Sequence, residues 1–127
     1  MEHYLLDTNI LIYYFNGNME HAVKDKVSRL IRESFQISII SKMEFLGFPF
    51  NSQERLKAEQ FMECATIKTL TDEIVQHVID IRKEKSIKLP DAIIAATAVQ
   101  YSSILVTRNT KDFKALALET YNPFDGG

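Results

Sequence analysis

The stretch Leu89-Pro90-Asp91-Ala92-Ile93-Ile94-Ala95-Ala96-Thr97-Ala98-Val99 decides the fold class, together with Ile104-Leu105-Val106 shortly after it. The first segment is apolar almost all round, which predicts a helix that begins near Pro90 and is buried on most sides. The second is a short continuous apolar run of the kind that forms a buried strand. A buried helix followed by a buried strand is typical of parallel sheets that are covered by helices on both faces.

The rest of the chain repeats this alternation of short strands and helices. Hydrophobic periodicity predicts strands at 4–6, 35–40, 66–69, 104–106 and 117–120, a polar loop at 107–112, and helices at about 8–15, 19–32, 41–46, 52–65, 71–85 and 90–99. We therefore expect an α/β protein of three layers, α/β/α, with a central, mostly parallel sheet. Its length of 127 residues suits a single domain over 1–127.

Composition excludes several classes of protein. Hydrophobic residues make up 46% and the formal net charge is −2, which suits a globular protein but not one that binds duplex DNA by broad phosphate neutralisation. The single cysteine, Cys64, excludes an intramolecular disulfide framework and a multi-cysteine zinc site. No apolar run reaches the length of a membrane helix, and Met1-Glu2-His3-Tyr4 does not resemble a secretory signal. We expect a cytoplasmic protein without membrane contact.

Four acids lie where the carboxyl ends of the predicted strands meet, namely Asp7, Glu44, Asp91 and Asp112. Taken singly, most have a structural explanation. Ser41 to Glu44 reads as a capping box, Asp91 as a first-turn acid after Pro90, and Asp112 as a solvated turn residue. Asp7 is different, because it lies between apolar residues and a buried carboxylate needs a partner.

Together, the four acids predict a cation. Carboxylates about 4 Å apart repel one another by roughly 4 kcal/mol at an effective dielectric of 20, so either one acid takes up a proton or a hard divalent ion binds. An all-oxygen cluster suits Mg²⁺, or Mn²⁺, better than zinc. A water activated on such an ion is the arrangement used to cut phosphodiesters. Without these four acids, 15 basic residues face 13 acidic ones, and the candidate phosphate contacts are Lys42, Lys88, Arg108 and Lys111.

Four segments resemble the PIN domain, and specifically the VapC toxins of toxin–antitoxin pairs: Leu5-Leu6-Asp7-Thr8-Asn9, Ser41-Lys42-Met43-Glu44, Leu89 to Ala98, and Val106-Thr107-Arg108-Asn109-Thr110-Lys111-Asp112-Phe113. These toxins are small Mg²⁺-dependent ribonucleases. The resemblance spans nearly the whole chain, and it rests on the order and spacing of the segments, since no single motif is decisive.

The resemblance implies roles for individual residues. Asp7, Glu44 and Asp91 would form the metal-binding cluster, with Thr8 in support and a fourth position in the loop that begins at Thr107. The family often has an acid two residues after the loop threonine, where this chain carries Asn109. Asp112 is the candidate replacement, so mechanisms with one ion and with two ions both stay open.

The resemblance also implies three partners: an RNA substrate, a second copy in a homodimer, and a VapB-like antitoxin whose C-terminal tail lies over the active cleft. A set of aromatic residues could form an apolar groove or a dimer face, although aromatic residues at these spacings more often belong to the hydrophobic core. The residues concerned are Phe45, Phe48, Phe50 and Tyr13-Tyr14-Phe15.

Two other functions fit parts of the sequence. Asp7-Thr8-Asn9 after a strand also resembles haloacid-dehalogenase-type phosphohydrolases, but position 9 should then be a second acid. A catalytically silent PIN-like module that only binds a partner is the other alternative. The three histidines have no metal-ligand spacing, and Cys64 is expected in a helix core without a catalytic role.

Overall fold

Strands and helices alternate as the sequence predicts. The computed structural model describes residues 2–125. Its elements are β1 (Tyr4–Leu6), α1 (Thr8–Phe15), α2 (His21–Glu33), β2 (Gln36–Ser38), α3 (Ile39–Leu46), α4 (Ser52–Glu63), β3 (Thr66–Lys68), α5 (Asp72–Glu84), α6 (Leu89–Gln100), β4 (Ile104–Val106), α7 (Thr110–Phe113) and β5 (Thr120–Tyr121). None of the helices in 2–125 has the length and apolar character needed to cross a membrane.

All hydrogen-bonded strand pairs are parallel, as predicted. β1 and β5 flank β4, and β2 pairs with β3. β1 and β2 lie side by side without a ladder of hydrogen bonds, so the five strands follow the order β3-β2-β1-β4-β5. In the register of β1 and β4, Leu6 lies opposite Val106. The residues that follow these two strands are therefore neighbours at one edge of the sheet.

Alternation along the short strands divides the core into two layers. Leu5 and Leu105 are buried against Ile94 and Ala98 of α6. Leu6 and Val106 point to the other face, where they meet residues of α1, α2, α3 and α4. Because successive side chains of a strand point to opposite faces of the sheet, two consecutive apolar residues bury one side chain on each face. Helices cover both faces, which gives the predicted three layers. α5 packs along α6 on the outside of the first layer.

The aromatic residues form most of the second layer. Phe45 is fully buried, and its ring centroid lies 5.4 Å from those of both Phe15 and Phe50. Phe61 stacks on Tyr14 at 5.9 Å and joins the same cluster. Phe45 and Phe50 are therefore core residues. The alternative that they form an exposed apolar groove or dimer face is wrong.

The start of α3 differs from the prediction. Ile39 and Ile40 look like a continuation of the strand, but they form the first turn of the helix. Ser38 is the N-cap, and its hydroxyl accepts a hydrogen bond from the Ile40 N–H at 3.1 Å. The capping box predicted for Ser41 to Glu44 is therefore wrong, because Ser41 already lies inside the helix.

The C-terminal segment also differs in detail. The predicted loop at 107–112 contains the start of α7, which buries Phe113 against α6. The last strand is Thr120–Tyr121 instead of 117–120. A single buried aromatic ring determines the path of the chain here, and a four-residue helix is too short to show a periodic pattern.

Candidate active site

Asp7 is the buried acid of the site. It follows β1 directly, its N–H donates to the Val106 carbonyl at 2.9 Å, and it caps α1. Oδ1 accepts from the Thr8 N–H and Oδ2 accepts from the Thr107 hydroxyl, each at 2.7 Å. Burial outweighs these two hydrogen bonds, and the charges of Asp91 and Glu44 add to it, so the pKa of Asp7 is raised to about 6.

Glu44 reaches the same edge from α3. Its Oε1 accepts a hydrogen bond of 2.6 Å from the Thr8 hydroxyl, which is also 3.0 Å from the hydroxyl of Ser41. Thr8 therefore contributes a backbone donor to Asp7 and a side-chain donor to Glu44. The resemblance implied a supporting role for Thr8, and these two hydrogen bonds link it to both carboxylates.

Asp91 approaches from the first turn of α6 and is half-buried. Burial raises its pKa, the charges of Asp112 and Glu44 raise it further, and Lys88 lowers it. Because the charges of Glu44 and Asp112 act on Asp91, and those of Asp91 and Glu44 act on Asp7, the four predicted acids lie at one edge of the sheet. Lys88 is the cation that faces this cluster.

The loop after β4 supports the cluster from the side of Thr107. This residue is fully buried, its hydroxyl donates to Asp7, and the same oxygen accepts from the Asn109 N–H at 3.0 Å. The side chain of Asn109 is exposed and does not cap α7. The charge of Asp112 acts on Asp91, whereas the side chain of Asn109 is neutral.

The oxygen atoms of these acids are chemically suitable ligands for a metal ion, but they are not arranged as a coordination site. Among residues 2–125, no three acid, histidine or cysteine side chains converge closely enough to form a metal site. Asp7 and Glu44 are instead turned to their threonine donors. The donor set itself suits a hard cation, because it is all oxygen and because burial, together with the charges of the neighbouring acids, raises the pKa values of Asp7 and Asp91.

The basic candidates occupy different places. Arg108 is exposed, and its guanidinium lies over the rings of Tyr13 and Phe124, at 5.1 and 4.6 Å from their centroids. Lys42 is half-buried within α3. Lys111 lines a surface hollow on the β5 side, away from the loop's contact with Asp7. Of these three, Arg108 is the one whose charged group lies over aromatic rings.

Sequence reasoning missed one residue of this site and misjudged another. The buried hydroxyl of Ser41 contacts Thr8, a residue 33 positions away, and its sequence context suggested only a helix cap. Asn9 is half-buried, and its Oδ1 has no hydrogen-bond donor within the described part of the chain. Asn9 lies in the first turn of α1, and its place two residues after Asp7 was the available signal.

Solved structures with the same fold cover nearly the whole chain. The toxin–antitoxin complex from Klebsiella pneumoniae is 29% identical, with a TM-score of 0.78 over 95% of this chain and 98% of that one. VapBC-1 from nontypeable Haemophilus influenzae is 24% identical, with a TM-score of 0.77 over 96% and 98%. FitAcB from Neisseria gonorrhoeae is 24% identical, with a TM-score of 0.79 over 95% and 98%. None of the curated proteins matches the sequence significantly.

The family model for the PIN domain matches residues 4–118. That range runs from β1 to beyond α7, and it includes all four acids and both threonines of the site. It also covers Asp7-Thr8-Asn9, the segment on which the phosphohydrolase alternative depended. By this match, and by a fold shared with the solved structures above, the chain belongs to the PIN domain family.

Proposed function

We propose that this chain is a metal-dependent endoribonuclease and the toxin of a toxin–antitoxin pair. The observation that carries the proposal is the convergence of Asp7, Glu44, Asp91 and Asp112 on one sheet edge, where burial and mutual repulsion raise the pKa values of Asp7 and Asp91. Apart from Lys88, no cation offsets this charge in the described residues. Such a cluster has a use for a divalent cation and little other stabilising value.

Asp7, Glu44 and Asp91 would hold Mg²⁺ or Mn²⁺, and Asp112 would add charge at the same edge. The chemistry that such an ion supplies is a lowered pKa of bound water and stabilisation of charge on a phosphodiester. Thr107 and Thr8 keep Asp7 and Glu44 in place through hydrogen bonds of 2.7 and 2.6 Å. Because these donors favour the ionised carboxylate, they keep Asp7 available as a ligand at neutral pH despite its burial.

The substrate side of the proposal rests on Arg108. Two aromatic rings hold its guanidinium beside the loop that carries Thr107. A guanidinium that is ordered in advance loses little entropy when it binds an RNA phosphate. Lys42 and Lys111 are further candidates, and Lys88 faces Asp91 itself. We place this reaction in the cytoplasm, where RNA is available.

The partner proposal rests on the solved relatives. The Klebsiella pneumoniae structure is described as a toxin–antitoxin complex, and its chain is covered to 98%. We infer that a VapB-like antitoxin binds this chain as well, and that the chain forms a homodimer. Expression of the chain alone in a bacterial host is expected to slow growth, whereas Asp7→Asn is not. Equal growth arrest by both proteins would contradict a nuclease toxin.

Cleavage of total RNA by the purified protein tests the activity. Wild type, Asp7→Asn and Asp25→Asn are incubated with Mg²⁺, with Mn²⁺ and with EDTA. Asp25 is an exposed acid of α2 that receives the same chemical change outside the site. We expect discrete products from wild type and Asp25→Asn only when the metal is present. Products that persist in EDTA or in Asp7→Asn would overturn the mechanism, and uncleaved RNA in every reaction would favour the silent PIN-like module.

A further inference from the structure

The C-terminal segment 122–124 lies against Arg108, in the loop that follows β4. The guanidinium carbon of Arg108 is 4.6 Å from the ring centroid of Phe124 and 5.1 Å from that of Tyr13. The two rings meet edge to face, with their centroids 5.6 Å apart. Both distances to the guanidinium are within the range in which an aromatic ring attracts a cation. The charged group is therefore held between a ring from α1 and a ring from the C-terminal segment.

Backbone and side-chain hydrogen bonds fix the 122–124 segment beside this loop. The carbonyl of Tyr121 accepts a hydrogen bond of 3.0 Å from the Thr107 N–H, so the residues that follow β4 and β5 run side by side. Oδ1 of Asn122 accepts from the Phe124 N–H at 2.9 Å, and its Nδ2 donates to the Arg108 carbonyl at 3.4 Å. The Phe124 ring also packs on the core cluster of the second layer. These contacts hold the ring in place relative to Arg108.

The charged group of Arg108 has no acidic partner. Within residues 2–125, its guanidinium forms no ion pair and no hydrogen bond, although Asp112 lies in the same part of the chain and Asp125 directly follows the segment. Arg108 is exposed, so all five N–H donors are available to a ligand. A planar guanidinium pairs with two oxygens of a phosphate at once. The rings therefore hold a phosphate-binding group without occupying its donors.

The position of Arg108 connects this group to the acidic edge. Its neighbour Thr107 donates a hydrogen bond to Asp7, and Tyr13 belongs to α1, the helix that Asp7 caps. A phosphate bound by Arg108 would thus lie beside the carboxylate cluster. The segment 122–124 lies beyond residues 4–118, the range that the PIN domain model matches, so the family match assigns it no role.

We propose that the 122–124 segment is a substrate-binding element of this chain, in which Phe124 positions Arg108 for an RNA phosphate. Phe124 is a positioning residue, because it acts through Arg108 and does not itself need to touch the RNA. This role rests on the proposed function, since the ligand is the RNA that the site would cut. If Phe124 served the fold alone, its loss would act equally with and without Arg108.

A double-mutant cycle tests whether Phe124 acts through Arg108. Filter binding of a labelled, unpaired oligoribonucleotide is measured in the Asp7→Asn background, where cleavage is prevented. We expect Phe124→Leu, which removes the ring, to weaken binding about two- to tenfold, the cost of immobilising one long side chain on binding. Phe124→Tyr keeps a ring and should bind normally. In Arg108→Ala, Phe124→Leu should have no further effect. Equal losses with and without Arg108 would overturn the proposal.

Salt dependence separates positioning from charge. Arg108→Ala should lower the slope of the logarithm of the binding constant against the logarithm of the salt concentration by about one. Phe124→Leu keeps the guanidinium, so the slope should stay unchanged while the affinity falls. Tyr101→Leu is the matched control, because it removes a ring under a cation, Lys68, at the other end of α6 from Asp91. A loss of affinity in Tyr101→Leu as large as in Phe124→Leu would refute the assigned role.

Proton NMR without RNA makes the outcome separable from that of the proposed function. The ring currents of Tyr13 and Phe124 should shift the side-chain resonances of Arg108, and Phe124→Leu should reduce that shift. Unshifted resonances in the wild type would overturn the proposal even if the protein cleaves RNA. Shifted resonances in a protein that neither binds nor cleaves RNA would contradict the proposed function. A nuclease in which Phe124→Leu binds RNA as the wild type does would contradict the role of 122–124 alone.

Discussion

Replacement of Asp7 by asparagine should change the stability of the metal-free protein in a direction that depends on pH. The pKa of Asp7 is raised from 3.8 to about 6, so the folded state binds the proton more tightly than the unfolded state does. The stability that this group contributes is therefore present below pH 3.8 and is lost as the pH rises to about 6. At about 1.4 kcal/mol for each tenfold change in proton affinity, ionised Asp7 costs about 3 kcal/mol at pH 8.

Asparagine removes this cost because it stays neutral. Its amide oxygen still accepts the hydrogen bond from the Thr8 N–H. Its NH₂ group, however, cannot accept the hydrogen bond that the Thr107 hydroxyl donates to Oδ2 of Asp7 in the wild type. This mismatch costs about 1 kcal/mol at every pH. We therefore expect Asp7→Asn to be about 2 kcal/mol more stable than wild type at pH 8 and about 0.5 kcal/mol less stable at pH 4, where part of the stability that protonated Asp7 contributes is already lost. Urea unfolding in EDTA across this range measures both values.

Two controls accompany this measurement. Asp25→Asn changes an exposed acid, and its stability difference from wild type should stay small throughout. Mg²⁺ at 100 times its dissociation constant should stabilise wild type by about 2.7 kcal/mol at pH 8 and Asp7→Asn by much less. If Asp7→Asn is less stable than wild type at pH 8, or if the difference does not vary with pH, the reasoning about the buried carboxylate is refuted.

Four further predictions follow from contacts of the site and the core. Thr107→Val removes the donor to Asp7 and should lower stability by about 1–2 kcal/mol and move the acidic limb of the pH–rate profile upward; an unchanged profile would contradict the positioning role. Asn109→Asp adds a carboxylate at the loop and should lower the Mg²⁺ concentration needed for half-maximal cleavage. Arg108→Ala, made in the Asp7→Asn background to prevent cleavage, should weaken RNA binding. The slope of the logarithm of the binding constant against the logarithm of the salt concentration should fall by about one, as filter binding at several salt concentrations would show. Phe45→Ala should cost about 3–5 kcal/mol in urea unfolding, because its ring is fully buried among aromatic neighbours.

Local signals explain why much of the fold was predictable. α6 is apolar on nearly every side, and its neighbour β4 is an uninterrupted apolar run, so both were placed within a residue or two. The β2–α3 boundary was misplaced because Ile39 and Ile40 have high strand propensity but pack as a helix turn. The actual cap is Ser38, one of several hydroxyl residues in that segment, and only the backbone path selects it.

The exposed side of α5 shows a second limit. Val75 belongs to the apolar members of this helix by sequence, yet it is exposed while Ile74 and Val78 are buried. Periodicity locates an apolar arc but does not say how much of that arc the neighbouring helix covers. The packing of α5 on α6 leaves Val75 and Ile79 outside the contact. The exposure of these two side chains therefore could not be predicted before the helices were placed.

By itself the sequence determined the three-layer α/β architecture, because strand and helix periodicity are local, and it predicted four candidate acids near the carboxyl ends of the strands of a parallel sheet. Tertiary structure alone decided how the acids are held. Asp7 and Thr107 are 100 residues apart in the chain and share a 2.7 Å hydrogen bond. The pKa of Asp7 likewise depends on burial and on charges from other elements. Such contacts are non-local, and no local pattern encodes which distant side chains will meet.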